Sequence, residues 1–185
     1  MTETEIARNV ALVKEAIAKA ALESGRDPQA IRLLAATKMN DCAAVRAAIR
    51  AGVDICGENR VQEMLEKNSQ GAYEGVPLHF IGHLQKNKVR QVVGICALIH
   101  SADSLSLLEE ISRTSEKRDL VQDVLLEINI GGEVSKSGFS EEELPEALAA
   151  ASKLPGIRVR GLMAIPPICD RPEENRPFFI RMEKN

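Results

Sequence analysis

Apolar residues recur at Ile6, Val10, Val13, Ile17 and Ala21, the spacing of one helical face, and Thr2 with Glu5 forms a capping-box pattern ahead of them. Residues 3–23 are therefore predicted as an amphipathic helix ended by Gly25. A turn at Asp27-Pro28 leads into Arg32-Leu33-Leu34-Ala35-Ala36-Thr37, a continuous apolar run of the kind a strand buried on both faces requires. Helix and strand then alternate. Helix is predicted near 41–51, from Arg60, near 85–93, over 104–117 and over 141–152, the last opening at Ser140 with Glu143 three residues on. Strands are predicted at Val53–Cys56, Leu78–Ile81, Ala97–His100, Asp123–Ile130 and Ile157–Ile165.

Short apolar strands alternating with helices over short connections imply an α/β fold with a parallel sheet, either doubly wound or a (β/α) barrel. Six such units follow an extra N-terminal helix. A complete eight-unit barrel takes about 250 residues, so a TIM-type barrel would be incomplete at its C-terminus, with about six of the eight units. The last segment, 177–185, is apolar and periodic with no stop signal, and the whole chain, 1–185, is predicted as one domain of a truncated barrel.

Composition narrows the function classes. With 44% hydrophobic and 28% charged residues the chain has enough apolar surface for a core, and a net charge of −3 gives no electrostatic case for nucleic acid or an anionic membrane. No apolar stretch reaches a membrane span and the first ten residues lack a signal-peptide pattern, so a cytoplasmic protein is expected. Cys42, Cys56, Cys96 and Cys169 are scattered without CxxC or histidine at ligand spacing, which predicts reduced, buried thiols and no metal site. No phosphate-loop, HExxH or GxSxG motif occurs.

In parallel α/β folds ligands bind outside the carboxyl ends of the strands, which singles out Lys38, Gly57-Glu58-Asn59, Gly82-His83, Ser101, Asn129 and Met163. Lys38 closes an apolar strand, so its stem is expected to be buried and its ammonium partly desolvated, a state that frees an amine to attack a carbonyl. Snorkelling to solvent is the alternative reading of the same position. Asn59 with Gln62 fits a cap on the following helix, and Glu58 fits its first-turn dipole field. His83 fits either a structural hydrogen bond or a ligand contact. The basic run Lys86, Lys88 and Arg90 reads as a solvated helix face.

Leu34-Ala35-Ala36-Thr37-Lys38, Gly57-Glu58-Asn59-Arg60-Val61-Gln62-Glu63 and His79-Phe80-Ile81-Gly82-His83-Leu84-Gln85-Lys86-Asn87-Lys88 stand in that order. Asn129-Ile130-Gly131, Lys136-Ser137-Gly138-Phe139 and Gly161-Leu162-Met163-Ala164-Ile165-Pro166-Pro167 follow. Together they resemble the pyridoxal phosphate homeostasis protein family, single-domain relatives of the alanine racemase barrel of fold-type III. The resemblance implies pyridoxal 5′-phosphate held as an internal aldimine on Lys38, with Asn59, His83 and Met163 lining the cofactor pocket. It implies a role in intracellular vitamin B6 and amino-acid homeostasis without turnover, hence no catalytic residues. The implied partner is the small-molecule cofactor alone, with no nucleic acid and no membrane, and the complete chain would be a monomer. Thr37 and Met39-Asn40-Asp41 replace the Ser before and the Pro after the lysine that members often carry, and the family's late phosphate-gripping segments are missing. That implies a natural chain some tens of residues longer. A pyridoxal-phosphate-dependent amino-acid racemase is the alternative; it would need a second base, and Tyr73, the only tyrosine, is expected in a loop away from the carboxyl ends.

Overall fold

Helix α1 (Glu3–Glu23) begins where the Thr2–Glu5 pattern predicts, with both halves of the capping box formed. The computed structural model describes residues 1–133 and 137–184, so Lys136 of the Lys136-Ser137-Gly138-Phe139 motif lies outside the described residues. The remaining elements are β1 (Leu34–Ala36), α2 (Cys42–Arg50), β2 (Ile55–Glu58), α3 (Val61–Ser69), β3 (Leu78–Phe80), α4 (Val89–Val92) and β4 (Leu98–Ala102). They continue as α5 (Leu105–Glu116), β5 (Gln122–Glu127), α6 (Leu144–Ala151), β6 (Ile157–Met163) and α7 (Arg176–Lys184). The six strands form one parallel sheet in the order β1-β2-β3-β4-β5-β6. Every strand thus lies beside its sequence neighbour, the order of a (β/α) barrel and not of a doubly wound sheet, whose order reverses at a switch point. Six strands and the leading helix match an incomplete barrel of this type.

The chain divides into two compact units, Met1–His79 and Phe80–Asn185. In the first, α1 packs on α2, and β1 pairs with β2 in the register Leu34↔Ile55, Ala35↔Cys56, Ala36↔Gly57. Asp41 caps α2, its carboxylate accepting from the Ala44 N–H at 2.8 Å. The predicted α1 stripe is only partly covered: Ile6, Val10 and Ala21 are buried, Ile17 is half-buried and Val13 is exposed. A nine-residue α2, about 13 Å long at 1.5 Å per residue, cannot cover all of a 21-residue helix. β2 is buried throughout, whereas Leu34 and Ala35 of β1 are half-buried and Ala36 is exposed, in place of the two-sided burial expected of that strand. β1 begins the strand order and has a paired neighbour on one side only.

In the second unit β4, β5 and β6 pair in parallel and α5 packs on all three; Leu107, Leu108 and Ile111 of the helix and Ile99, Val124 and Leu126 of the strands are buried. The helix expected near 85–93 is shorter, a 3-10 turn over Lys86–Lys88 running into the single turn of α4, with no side-chain cap and with Gly94 in a left-handed conformation shortly after it. Ser140 and Glu143 do make their reciprocal hydrogen bonds, at 2.8 and 3.2 Å, but around a turn, and α6 starts only after it. Cys56 and Cys96 are buried as expected; Cys42 and Cys169 are half-exposed, since both lie outside the strand layer, at the start of α2 and in the segment after β6. Among the described residues no helix is long and apolar enough to cross a membrane.

Gly156, at the turn into β6, is buried against α5: its N–H donates to the Ser112 hydroxyl at 3.0 Å, and a Cβ there would run into the Ser112 carbonyl oxygen. Gly156→Ala is therefore expected to destabilise the protein by about 1–3 kcal/mol, the usual cost of overpacking, read as a lower urea midpoint.

Candidate functional site

The parallel register brings Lys38 and Asn59 level. Ala36 pairs with Gly57, and two further residues along each chain reach Lys38 and Asn59 at the carboxyl end of the β1–β2 pair. Thr37, immediately before the lysine, is buried and engaged at three atoms. Its N–H donates to the Gly57 carbonyl at 2.9 Å, its hydroxyl donates to Glu58 Oε1 at 2.6 Å, and its carbonyl accepts from Lys67 Nζ at 2.8 Å. On the other side of the lysine, the Met39 N–H donates to Glu63 Oε1 at 2.5 Å, and Met39 holds a left-handed φ of 61°. Between them Lys38 is exposed, and its Nζ makes no hydrogen bond or ion pair among the described residues. This corrects the expectation of a desolvated amine. β1 stops at Ala36, and the following residues alternate inward at Thr37 and outward at Lys38, so burial falls on the threonine.

Beneath this turn lies a buried ion pair. Lys67 Nζ is 2.8 Å from Glu58 Oε1 and 2.7 Å from Glu63 Oε1, with side-chain exposures of 7% for Lys67 and 0% for Glu58. The three ammonium protons thus meet three acceptors: Glu58, Glu63 and the Thr37 carbonyl. Glu63 and Lys67 lie one turn apart on α3 with the acid N-terminal, the favourable order for an i,i+4 pair. Glu58 Oε1 also accepts from the Tyr73 hydroxyl at 3.1 Å. Burial, then the Glu58 charge, pushes the Tyr73 phenol far up, and the same two causes push the Cys56 thiol up to about 11. Burial pulls the Lys67 ammonium down, but its hydrogen bonds to Glu58 and Glu63 and their charges overcome this and hold it above its ordinary value. The hydrogen bond from Lys67 holds the Glu63 carboxyl below its ordinary 4.5.

Two readings of the Gly57–Glu63 segment are corrected here. Arg60, not Asn59, occupies the cap position of α3, and no side chain caps it. Asn59 Oδ1 is instead buried without a hydrogen-bond partner among the described residues, as is Glu58 Oε2. Glu58 points into the ion-pair network and not along the helix dipole. Tyr73 does lie in the loop before β3, but its hydroxyl reaches the residue that ends β2. Lys67 and Glu63 escaped the strand-end search because they sit on a helix. Their signal was a lysine three residues after the buried Met64, on the same helical face.

In the second unit His83 follows β3 and is 61% exposed, with Nδ1 3.2 Å from Asp103 Oδ2 just past β4. The other Asp103 oxygen accepts from the Ser104 hydroxyl at 3.0 Å. Burial and the Asp103 charge push the Glu127 carboxyl at the end of β5 upward, against the opposing His83. Met163 is the last residue of β6, half-buried, with its carbonyl accepting from the Ile128 N–H at 2.8 Å. His83 and Met163 thus each stand at the carboxyl end of their own strand. Among the described residues no group of three His, Cys, Asp or Glu side chains is placed to hold a metal ion.

The family model for the N-terminal domain of alanine racemase matches residues 5–183. A pyridoxal phosphate homeostasis protein of Aquifex aeolicus (strain VF5) is 41% identical over 172 residues, covering 93% of this chain and 75% of the relative. An unknown protein from Bifidobacterium adolescentis superposes with a TM-score of 0.91 at 36% identity, over 98% of this chain and 78% of its own. PipY of Synechococcus elongatus PCC7942, solved with PLP bound, gives a TM-score of 0.76 at 31% identity, over 91% of this chain and 79% of its own.

Two outcomes test the ion-pair network. Lys67→Met strands the Glu58 carboxylate in the interior and is expected to cost about 3–5 kcal/mol at pH 7, the range for breaking a buried pair from one side, read by urea denaturation. The Glu63 carboxyl is depressed on folding, so its contribution is full above the unfolded value of 4.5 and is lost as pH falls through the lower folded value. Thermal stability is expected to decline on acidification below 4.5, and Glu63→Gln to shrink that decline.

Proposed function

The chain belongs to the pyridoxal phosphate homeostasis family, and on that premise we propose that it holds pyridoxal 5′-phosphate on the Lys38 amine, serving intracellular vitamin B6 balance without turnover. The observation that carries this reading is Lys38 itself: an exposed strand-end amine with no carboxylate partner among the described residues, set in a main chain held on both sides. An aldehyde cofactor needs an accessible nucleophilic amine at a defined place, and here the accessibility comes from the turn after β1. The residues present fit such a group. Asn59, two residues past the Gly57 that pairs with Ala36, keeps a buried amide oxygen without a hydrogen-bond partner among the described residues, an acceptor for a hydroxyl or a protonated ring nitrogen. His83 and Met163 join the proposal through the resemblance, each from the carboxyl end of its own strand.

When bound, pyridoxal phosphate supplies an electron sink for carbanion chemistry. Whether a chain uses that sink depends on its acids and bases. The racemase alternative needs a phenol free to trade a proton, but Tyr73 is buried, donates to Glu58 and has its ionisation strongly opposed. That commitment favours a carrier over a two-base enzyme.

Reduction with borohydride after incubation with pyridoxal phosphate, followed by peptide mass mapping, is expected to find stoichiometric label on Lys38 and its loss in Lys38→Ala. Label scattered over other lysines, unchanged by that substitution, would refute the assignment.

A further inference from the structure

The Lys38 amine makes no hydrogen bond or ion pair among the described residues, so the hydrogen bonds that place this residue are those of the peptides on either side. Thr37 is held through its N–H, its hydroxyl and its carbonyl, and the second and third of these hydrogen bonds end on the Glu58–Lys67 pair. Met39 occupies the left-handed region, a conformation unfavourable for a residue with a Cβ, and its N–H is held by Glu63. Asn40 closes the turn, its N–H donating to the Thr37 carbonyl at 3.2 Å and its side-chain amide to the Lys38 carbonyl at 3.0 Å. Stability alone accounts poorly for such a pair. Burying two charges gains little over a well-packed apolar pair, and the unpartnered Glu58 Oε2 lowers the return further. What the network does specify is one geometry for the three residues around the lysine.

We infer that Thr37, Glu58, Glu63 and Lys67 are positioning residues for Lys38: a buried clamp that presents its amine to an aldehyde-bearing phosphate ligand in one preset orientation. This rests on the function proposed above. The clamp acts before the ligand arrives, since a lysine whose Cα and Cβ are already fixed loses only side-chain freedom on attachment. Every contact it uses is internal to the first unit, between the β1 turn, the end of β2 and α3.

The test compares pyridoxal phosphate affinity, by absorbance titration, with borohydride-trapped label on Lys38 and with melting temperature. Thr37→Val removes one hydroxyl at nearly constant shape, Thr37→Ser restores it, and Glu63→Ala releases Met39 from a partly exposed position that leaves the Glu58–Lys67 contact in place. Thr37→Val and Glu63→Ala are expected to weaken affinity on the order of tenfold, the loss of one charge-assisted hydrogen bond. Both are expected to lower trapped label at a fixed ligand concentration, while Thr37→Ser stays within about twofold of the parent. Affinity and label unchanged in both variants, whatever happens to melting, would overturn the clamp and leave the proposed function standing. A parent protein that does not label Lys38 would overturn the function and the clamp with it. If Thr37→Val does not fold, Glu63→Ala against the parent decides between the same two results.

Discussion

The buried ion pair between Glu58 and Lys67 is the contact on which the rest of the site depends. Glu58 ends β2, Lys67 comes from α3, and through Thr37 they reach the end of β1, so one polar cluster joins three elements that the apolar core alone would leave free to slide. Hydrophobic burial is not directional. Beside it, three donors converging on one carboxylate oxygen allow essentially one arrangement of strand ends and helix. The cost is visible in the second Glu58 oxygen, which is buried without a partner among the described residues.

From that arrangement follows a division of labour among neighbouring residues. Thr37 is buried and spent on structure, while Lys38 is exposed and its amine makes no hydrogen bond or ion pair among the described residues. Asn59 repeats the theme one strand over, its amide oxygen left over where a helix cap would have consumed it. Tyr73 stands on the other side of the division: its hydroxyl donates to Glu58. A holder of a reactive aldehyde and an enzyme that exploits it can share a barrel and a lysine, and they differ in whether such groups are free.

Much of the fold could be read from local patterns because its determinants are local. The Thr2–Glu5 capping box and the apolar strand runs act within a few residues, and each stands close to where periodicity and capping chemistry put it. Alternation with short connections limits the sheet to a parallel one, doubly wound or a barrel, and the order β1 to β6 is the barrel's. What local pattern misread involves partners distant in sequence. Glu58 and Asn59 looked like helix-terminus residues because the pattern matched, yet Glu58 is taken by Thr37, 21 residues earlier, and by Lys67 and Tyr73, nine and fifteen residues later. Lys38 was expected to be desolvated because it closes an apolar run, but the strand stops at Ala36 and the inward position falls to Thr37. Lys38, Asn59, His83 and Met163 stand out by position at strand ends, and only the resemblance gives them a common ligand. The network around Lys38 joins residues spread along the chain from Thr37 to Tyr73.

The most direct test of the account is a crystal structure of the protein grown with pyridoxal phosphate. Continuous density from Lys38 Nζ into the ligand, with Thr37 still donating to Glu58 and Met39 still donating to Glu63, is the predicted result. Ligand density joined to another lysine, or a Lys38 adduct around which the Thr37 and Met39 contacts have come apart, would contradict it.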